Sequence, residues 1–201
     1  MPVLTRPRND PGQYDDLAAE WWRPRGAFEP LHWLAKARAA LVPSGTGVLL
    51  DVACGGGLLA PHVKTYRHVG VDIGESATRI AKTHGIETVR GDVLRLPVGN
   101  ETVDVVVAGE VFEHVRDLDG MVAEIARVMK PGGTLVCDTL ADTALCKFLM
   151  VTLAERLPVV PAGIHDPDLF VGPHRLQRIC RDHGIALKVR GLRPSIPDAL
   201  L

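Results

Sequence analysis

The sequence predicts one α/β domain built on a doubly wound, mostly parallel sheet, and three observations carry that prediction. The middle of the chain alternates short apolar runs with amphipathic stretches, the rhythm of strand-helix-strand units. The runs are nearly continuous in apolar residues, as strands covered on both faces must be. The first of them, Leu49-Leu50-Asp51-Val52, leads straight into Ala53-Cys54-Gly55-Gly56-Gly57, a glycine-rich turn that lets a ligand approach the backbone closely.

Taken in order, the predicted strands are Gly47 to Val52, His68 to Asp72, Glu87 to Val89, Val103 to Ala108, Thr134 to Thr139 and Ala186 to Gly191. Helical spacing falls between them at Leu58 to Thr65, Ser76 to His84, Leu118 to Met129 and Pro173 to His183. Right-handed crossovers through those helices build the doubly wound sheet. Residues 1–45 then form an N-terminal helical cap, 46–140 a ligand-binding core, 141–175 a substrate-side insertion, and 176–201 a C-terminal helix and strand. Five of the nine aromatic residues, Tyr14, Trp21, Trp22, Phe28 and Trp33, sit in the cap, which is either a helix packed on the sheet or a lid walling an apolar substrate.

The chain has 201 residues, 46% hydrophobic and 23% charged, enough for a single domain with its own core. Lys plus Arg is 23 against 24 for Asp plus Glu, so no basic field exists to favour nucleic acid as a partner. The cysteines Cys54, Cys137, Cys146 and Cys180 contain no C-x-x-C pair, and no signal peptide is visible, so a reduced, cytoplasmic protein is expected. The apolar stretch Phe148 to Ala154 lies between Lys147 and Glu155 and is too short for a bilayer span.

Nicotinamide, flavin and sulfonium cofactors all use a glycine turn, and the dinucleotide form G-x-G-x-x-G is absent. Asp72 ends the next strand, 21 residues after Asp51, where a carboxylate accepts from both hydroxyls of a ribose. Asp92, in Arg90-Gly91-Asp92-Val93, is placed to accept from the exocyclic amine of adenine. For each of them, capping the following helix is the alternative.

The ordered set of Asp51 through Gly57, Asp72, Gly91-Asp92, Val103 to Ala108 and Lys130-Pro131-Gly132-Gly133-Thr134-Leu135 resembles the class I S-adenosylmethionine-dependent methyltransferases over residues 46–140. The resemblance implies a Rossmann-like fold, S-adenosylmethionine as cofactor, and contacts from Asp51, Ala53, Gly55, Gly57, Asp72, Ile73, Asp92, Val93 and Gly109. Ala53 departs from the family, which usually has glycine two residues after the first aspartate. The methyl group is small, and cofactor binding is expected to survive it.

A narrower resemblance spans residues 14–175. Tyr14-Asp15-Asp16-Leu17-Ala18-Ala19-Glu20-Trp21-Trp22, then Gly26-Ala27-Phe28-Glu29-Pro30-Leu31-His32, Glu110-Val111-Phe112-Glu113-His114, and Gly163-Ile164-His165-Asp166 with Phe170 are similar to the ubiquinone-biosynthesis O-methyltransferases. That likeness implies that Arg38 contacts the cofactor. It also implies that Glu110, Glu113 and His114 bind a divalent cation, magnesium or manganese; on a helix these three would share one face. The implied acceptor is a small phenol or catechol, quinone-related or prenylated.

A phenol titrates at about pH 10, so it needs a base or a nearby cation at neutral pH. His114 and His165 are the candidate bases, with Asp166 orienting His165 or the substrate. Other readings are methyl transfer to carbon or to another natural-product hydroxyl, a non-catalytic adenosylmethionine-binding module, and a nicotinamide-dependent oxidoreductase. The last leaves Glu110 to His114 unexplained.

The insertion, Ala144 to Met150 through Val159-Val160-Pro161, reads as a second pocket wall or as a face touching lipid, so that a prenylated acceptor makes transient membrane contact. The family closes its sheet with a hairpin, whereas this chain ends at Asp198-Ala199-Leu200-Leu201, so the last strand is expected to be missing. An open sheet edge invites a second copy, and a homodimer is the corresponding expectation.

Overall fold

Five strands pair in parallel in the order β3-β2-β1-β4-β5: β1 Val48–Val52, β2 Arg67–Asp72, β3 Glu87–Arg90, β4 Val103–Gly109 and β5 Met129–Asp138. The structure is a computed structural model that describes residues 6–153, 155 and 163–191. The expectations resting on Val159 to Pro161 and on Asp198 to Leu201 lie outside those residues.

The apolar runs become strands because both faces are covered. Leu50, Val52, Val106 and Ala108 face α4 (Leu118–Val128) and α6 (Pro173–Asp182), meeting Met121, Ile125, Leu176 and Cys180. Leu49, Val105 and Val107 turn the other way, against Leu59, Val63 and Val136. Along α4, buried Leu118, Met121, Val122, Ile125 and Val128 follow helical spacing, and the Asp117 carboxylate caps its start by accepting from Gly120 N at 2.9 Å. Between β2 and β3, α3 (Glu75–Thr83) buries Ala77, Thr78 and Ala81.

Three predicted elements need correction. Leu58 to Thr65 forms only a short 3-10 turn at Ala60–His62, because Pro61 lacks an N–H and the chain must enter β2 a few residues later. Ala186 to Gly191 is not a strand: a strand exists through its ladder, and no described strand pairs with this segment. β5 starts earlier than Thr134, with a register break that sets Lys130-Pro131-Gly132-Gly133 between the pairs Val103↔Met129 and Val105↔Thr134.

The N-terminal residues form α1 (Gly12–Asp16), a 3-10 turn at Ala18–Glu20, and α2 (Glu29–Ala39) with Pro30 in its first turn. This segment is tied down at both ends of the site. Asp15 accepts from Ser76 N at the start of α3, Trp22 Nε1 donates to Gly56 O at 2.8 Å, and Gln13 Nε2 donates to Gly163 O at 3.1 Å. After β5, α5 (Ala144–Lys147) runs into a π-helical stretch, Phe148–Leu153. No helix of the described residues is long and apolar enough to cross a membrane.

Candidate functional site

A cavity of about 430 Å³ opens over the carboxyl ends of the strands, where ligands of open α/β sheets bind. Its polar groups follow the strand order. Asp92 stands after β3, Asp72 ends β2, Ala53 and Gly55 follow β1, Gly109 ends β4 and Glu110 follows it. Trp21, Phe28, Leu31, Met150 and Ile164 supply an apolar wall.

The glycine turn is held by a carboxylate. Asp72 accepts from Gly55 N and from Gly74 N, each at 2.8 Å, and burial nonetheless pushes its carboxyl above the ordinary range. Ala53 takes φ +58°, the left-handed region that glycine adopts without cost, so the departure noted in the sequence is borne as backbone strain. The Trp21 indole lies flat across Gly55 and Gly56, where any side chain would displace it. Its Nε1 is buried with no partner among the described residues.

Asp51 is buried beside His68, Nε2 to Oδ2 3.3 Å, so His68 is an interior histidine, not a surface one. Asp92 lines the cavity and caps its own turn through Leu94 N at 2.9 Å; Ile73 and Val93 line the wall next to it.

At the far side of the turn, Arg38 reaches from α2 and makes a forked pair with Asp138 at the end of β5, Nη2 to Oδ1 and Oδ2 each 2.9 Å. The guanidinium lies directly over Gly109, whose missing side chain makes room for it. Asp138 also accepts from Glu110 N at 3.1 Å.

Glu110, Glu113 and His114 do not share a helix face. Glu110 sits at φ +51° outside the turn, and only Phe112–His114 is 3-10 helical. Glu113 is 1% exposed and accepts from Thr139 Oγ1 at 2.7 Å; burial, with Asp138's charge, pushes it up to about 7. Burial and the neighbouring Glu113 charge push Glu110 well above the ordinary carboxylate range, and Glu113 Oε1 is buried without a hydrogen-bond partner among the described residues. His114 turns away from both, to Asn9 through Nδ1 and to Tyr14 through Nε2 at 3.1 Å, and burial pushes it down to about 3.

His165 lines the cavity, its ring 5.8 Å from that of His114, and burial lowers it also. The Asp166 carboxylate caps the next turn by accepting from Asp168 N at 3.1 Å, and no hydrogen bond joins it to His165 among the described residues. Gly57 stands off the cavity, with φ +81° and Ile86 and Ala81 packed where a side chain would be.

Residues 50–137 match the model of the methyltransferase domain family. The ubiquinone biosynthesis O-methyltransferase of Leptothrix cholodnii is 31% identical over 90% of this chain and 84% of its own, and that of Thiobacillus denitrificans is 34% identical over 86% and 81%. The chain belongs to the ubiquinone biosynthesis O-methyltransferase family.

It is a SAM-dependent methyltransferase. Two solved structures share its fold: a methyltransferase of Haloferax volcanii held by its activator, TM-score 0.66 at 22% identity, and a SAM-dependent methyltransferase of Thermotoga maritima, 0.63 at 19%. Each covers 86% of this chain, which in turn covers 76% of each.

The chain fits that cofactor. Asp72, Asp92 and the Arg38 guanidinium offer two acceptors and a cation to one cavity, and the buried Trp21 Nε1 has no partner among the described residues. The divalent cation expected of this O-methyltransferase family is not matched by the donors: His114 has both ring nitrogens engaged, and no group of three or more His, Cys, Asp or Glu among the described residues is arranged to hold a metal.

Sequence reasoning missed Asp138, Asn9 and Tyr14 as site residues. A carboxylate closing a parallel strand, as in Cys137-Asp138-Thr139, was a signal for the first; the other two carry none, since their roles depend on His114, about a hundred residues away.

Proposed function

We propose that the protein methylates a phenolic or catecholic hydroxyl of a small, quinone-related molecule, using S-adenosylmethionine. One observation carries the reading: in strand order across the sheet, at about 4.8 Å per strand, come an acceptor for an amine, an acceptor for ribose hydroxyls, a glycine turn and an arginine, and the aromatic cavity adjoins the last of these. That sequence of groups suits an extended nucleoside-amino acid.

When bound, the cofactor supplies a methyl group already activated by its sulfonium. Asp92 then takes the adenine amine, with Ile73 and Val93 against the ring, and Asp72 the ribose. Asp51, Ala53 and Gly55 line the turn, and Arg38, over Gly109, faces the carboxylate end. The apolar wall of Trp21, Phe28, Met150 and Ile164 excludes water and aligns an aromatic acceptor, and such positioning accounts for most of the barrier reduction. His114 and His165 border the acceptor's hydroxyl. No step is assigned to a metal, because His114 turns away from the two glutamates with both ring nitrogens engaged.

Leu145, Phe148, Leu149 and Leu153 form an exposed apolar row outside Met150, which supports transient membrane contact by a prenylated acceptor. β5 ends the described sheet, and a second copy pairing along it would give a homodimer, to be read by light scattering.

Calorimetric titration with S-adenosylhomocysteine against nicotinamide dinucleotides tests the cofactor, and mass spectrometry of phenols and catechols incubated with S-adenosylmethionine tests the acceptor. Micromolar binding of the first ligand alone, with one methyl added at oxygen, supports the reading. Methylation at carbon, or no product, overturns it.

A further inference from the structure

Gly56 has no conformational need to be glycine. Unlike Gly55 at φ +52° and Gly57 at φ +81°, it stays out of the left-handed region, yet a Cβ there would lie 2.5 Å from Trp21 Cγ. At Gly55 a Cβ would run into the far edge of the same indole, at Cη2. The two glycines are a seat for one flat ring. Trp21 is held on that seat by Phe28, ring centroids 4.4 Å apart, by Tyr14 at 6.1 Å, and by His32 Nε2, which donates to the Trp21 carbonyl oxygen at 2.9 Å.

The seat explains the ring but not its nitrogen. Trp21 lines the cavity, and its Nε1 is buried with no partner among the described residues. Trp22, next to it, spends its own Nε1 on Gly56 O at 2.8 Å. A buried N–H without an acceptor is costly and uncommon, and a phenyl ring would cover the same glycines without that cost. An indole only donates, so the missing partner is an acceptor.

We propose that the Trp21 indole N–H donates to the carboxylate of S-adenosylmethionine, as a cofactor-binding residue beside Arg38. The proposal rests on the cofactor placement given above, with Asp72 at the ribose and Arg38 at the carboxylate end. In strand order Trp21, over the turn that follows β1, stands between those two. Of the cofactor's groups past the ribose, the sulfonium and the ammonium are cations and do not accept. The carboxylate does, and its charge strengthens the bond. Arg38 has room for help, since its Nε and Nη2 already serve Asp138.

The test uses the full chain with ¹⁵N-labelled tryptophan, whose three indole signals come from Trp21, Trp22 and Trp33. The signal lost in Trp21→Phe assigns the first. Adenosylhomocysteine should move the Trp21 signal downfield, as a new charge-assisted hydrogen bond does. 5′-Methylthioadenosine, the same nucleoside thioether without the amino-acid tail, should leave it in place. In calorimetry Trp21→Phe, which keeps a flat ring on the glycines, should weaken adenosylhomocysteine roughly 10- to 100-fold. Its affinity for 5′-methylthioadenosine should hold, which also shows that the variant's site is folded.

A Trp21 signal unmoved by adenosylhomocysteine overturns the proposal. So does an equal loss of both ligands in Trp21→Phe, which would make the indole a packing group or a partner of the ribose. A signal that moves only when catechol joins the complex assigns the N–H to the acceptor and overturns the proposal while the cofactor placement stands. Equal affinity of the wild type for the two ligands would mean that nothing in the site reads the carboxylate, and would overturn the placement together with the proposal.

Discussion

Arg38 and Asp138, 100 residues apart, meet in a forked ion pair directly above Gly109. The arginine side chain is 11% exposed and the aspartate 21%, so the pair is partly sheltered and its geometry is set by the floor beneath it. Gly109→Ala would place a methyl group inside the guanidinium. Displacing Arg38 in this way should weaken adenosylhomocysteine binding roughly tenfold, the low end for a lost hydrogen bond to a charged group. Arg38→Lys, which keeps the charge but loses the fork, should do the same in calorimetry; unchanged affinity in both would remove Arg38 from the cofactor site.

Asp72 has two duties, holding the amides of Gly55 and Gly74 and offering its carboxylate to the cavity. Asp72→Ala leaves two amides without their acceptor, and a cost of about 2 kcal/mol in folding is expected. Adenosylhomocysteine should then give no thermal protection. In Asp72→Asn one acceptor oxygen remains, so stability should recover further than binding does.

Ala53 pays for its left-handed backbone with roughly 1–2 kcal/mol of strain, part of which glycine would return through the unfolded chain's entropy. Ala53→Gly should therefore stabilise the protein by about 0.5–1 kcal/mol, read as a higher urea midpoint at constant slope. A lower midpoint would show that the surrounding turn has adapted to the methyl group.

Glu113 is held protonated by burial, with a folded pKa of about 7 against an ordinary value near 4.5. The folded state thus binds the extra proton, and the stability this represents is fully present below about pH 4.5 and is lost as pH rises through 7. His114, pushed down to about 3, has the opposite sign: its contribution is present above about pH 6.5 and lost toward pH 3. Glu113→Gln should reduce the loss between pH 5 and 8 by at most about 3 kcal/mol, the raised Glu110 keeping its own share, and leave the acid limb in place. Parallel melting curves for the two proteins across that range would refute the assignment.

Much of the fold was legible. The ends of β1 to β4 fall within a residue of the runs that foretold them; for β1 and β4 the reason is that a strand buried on both faces writes its length in nearly contiguous apolar residues, whereas β3, Glu87-Thr88-Val89-Arg90, is mostly exposed. The helix expected after the glycine turn shrinks to the 3-10 turn Ala60–His62 around Pro61, which lacks the N–H that a longer helix would use. The strand at Ala186 to Gly191 failed for a different reason: its residues suit a ladder, but no described neighbour supplies the other half.

The sequence by itself determined the sheet, the glycine turn with Asp72 behind it, and membership of the methyltransferase family, since these depend on short contiguous patterns. Tertiary structure alone decided what the side chains do. Glu110 to His114 reads as one ligand face, but the chain bends at Glu110 and turns the histidine to Asn9 and Tyr14 while Glu113 goes to Thr139. Arg38 finds Asp138 because α2 crosses the ends of β4 and β5. Partners separated by 100 residues or more are chosen by the path of the backbone and by the cost of leaving a buried polar group unpaired, and neither is written in local spacing.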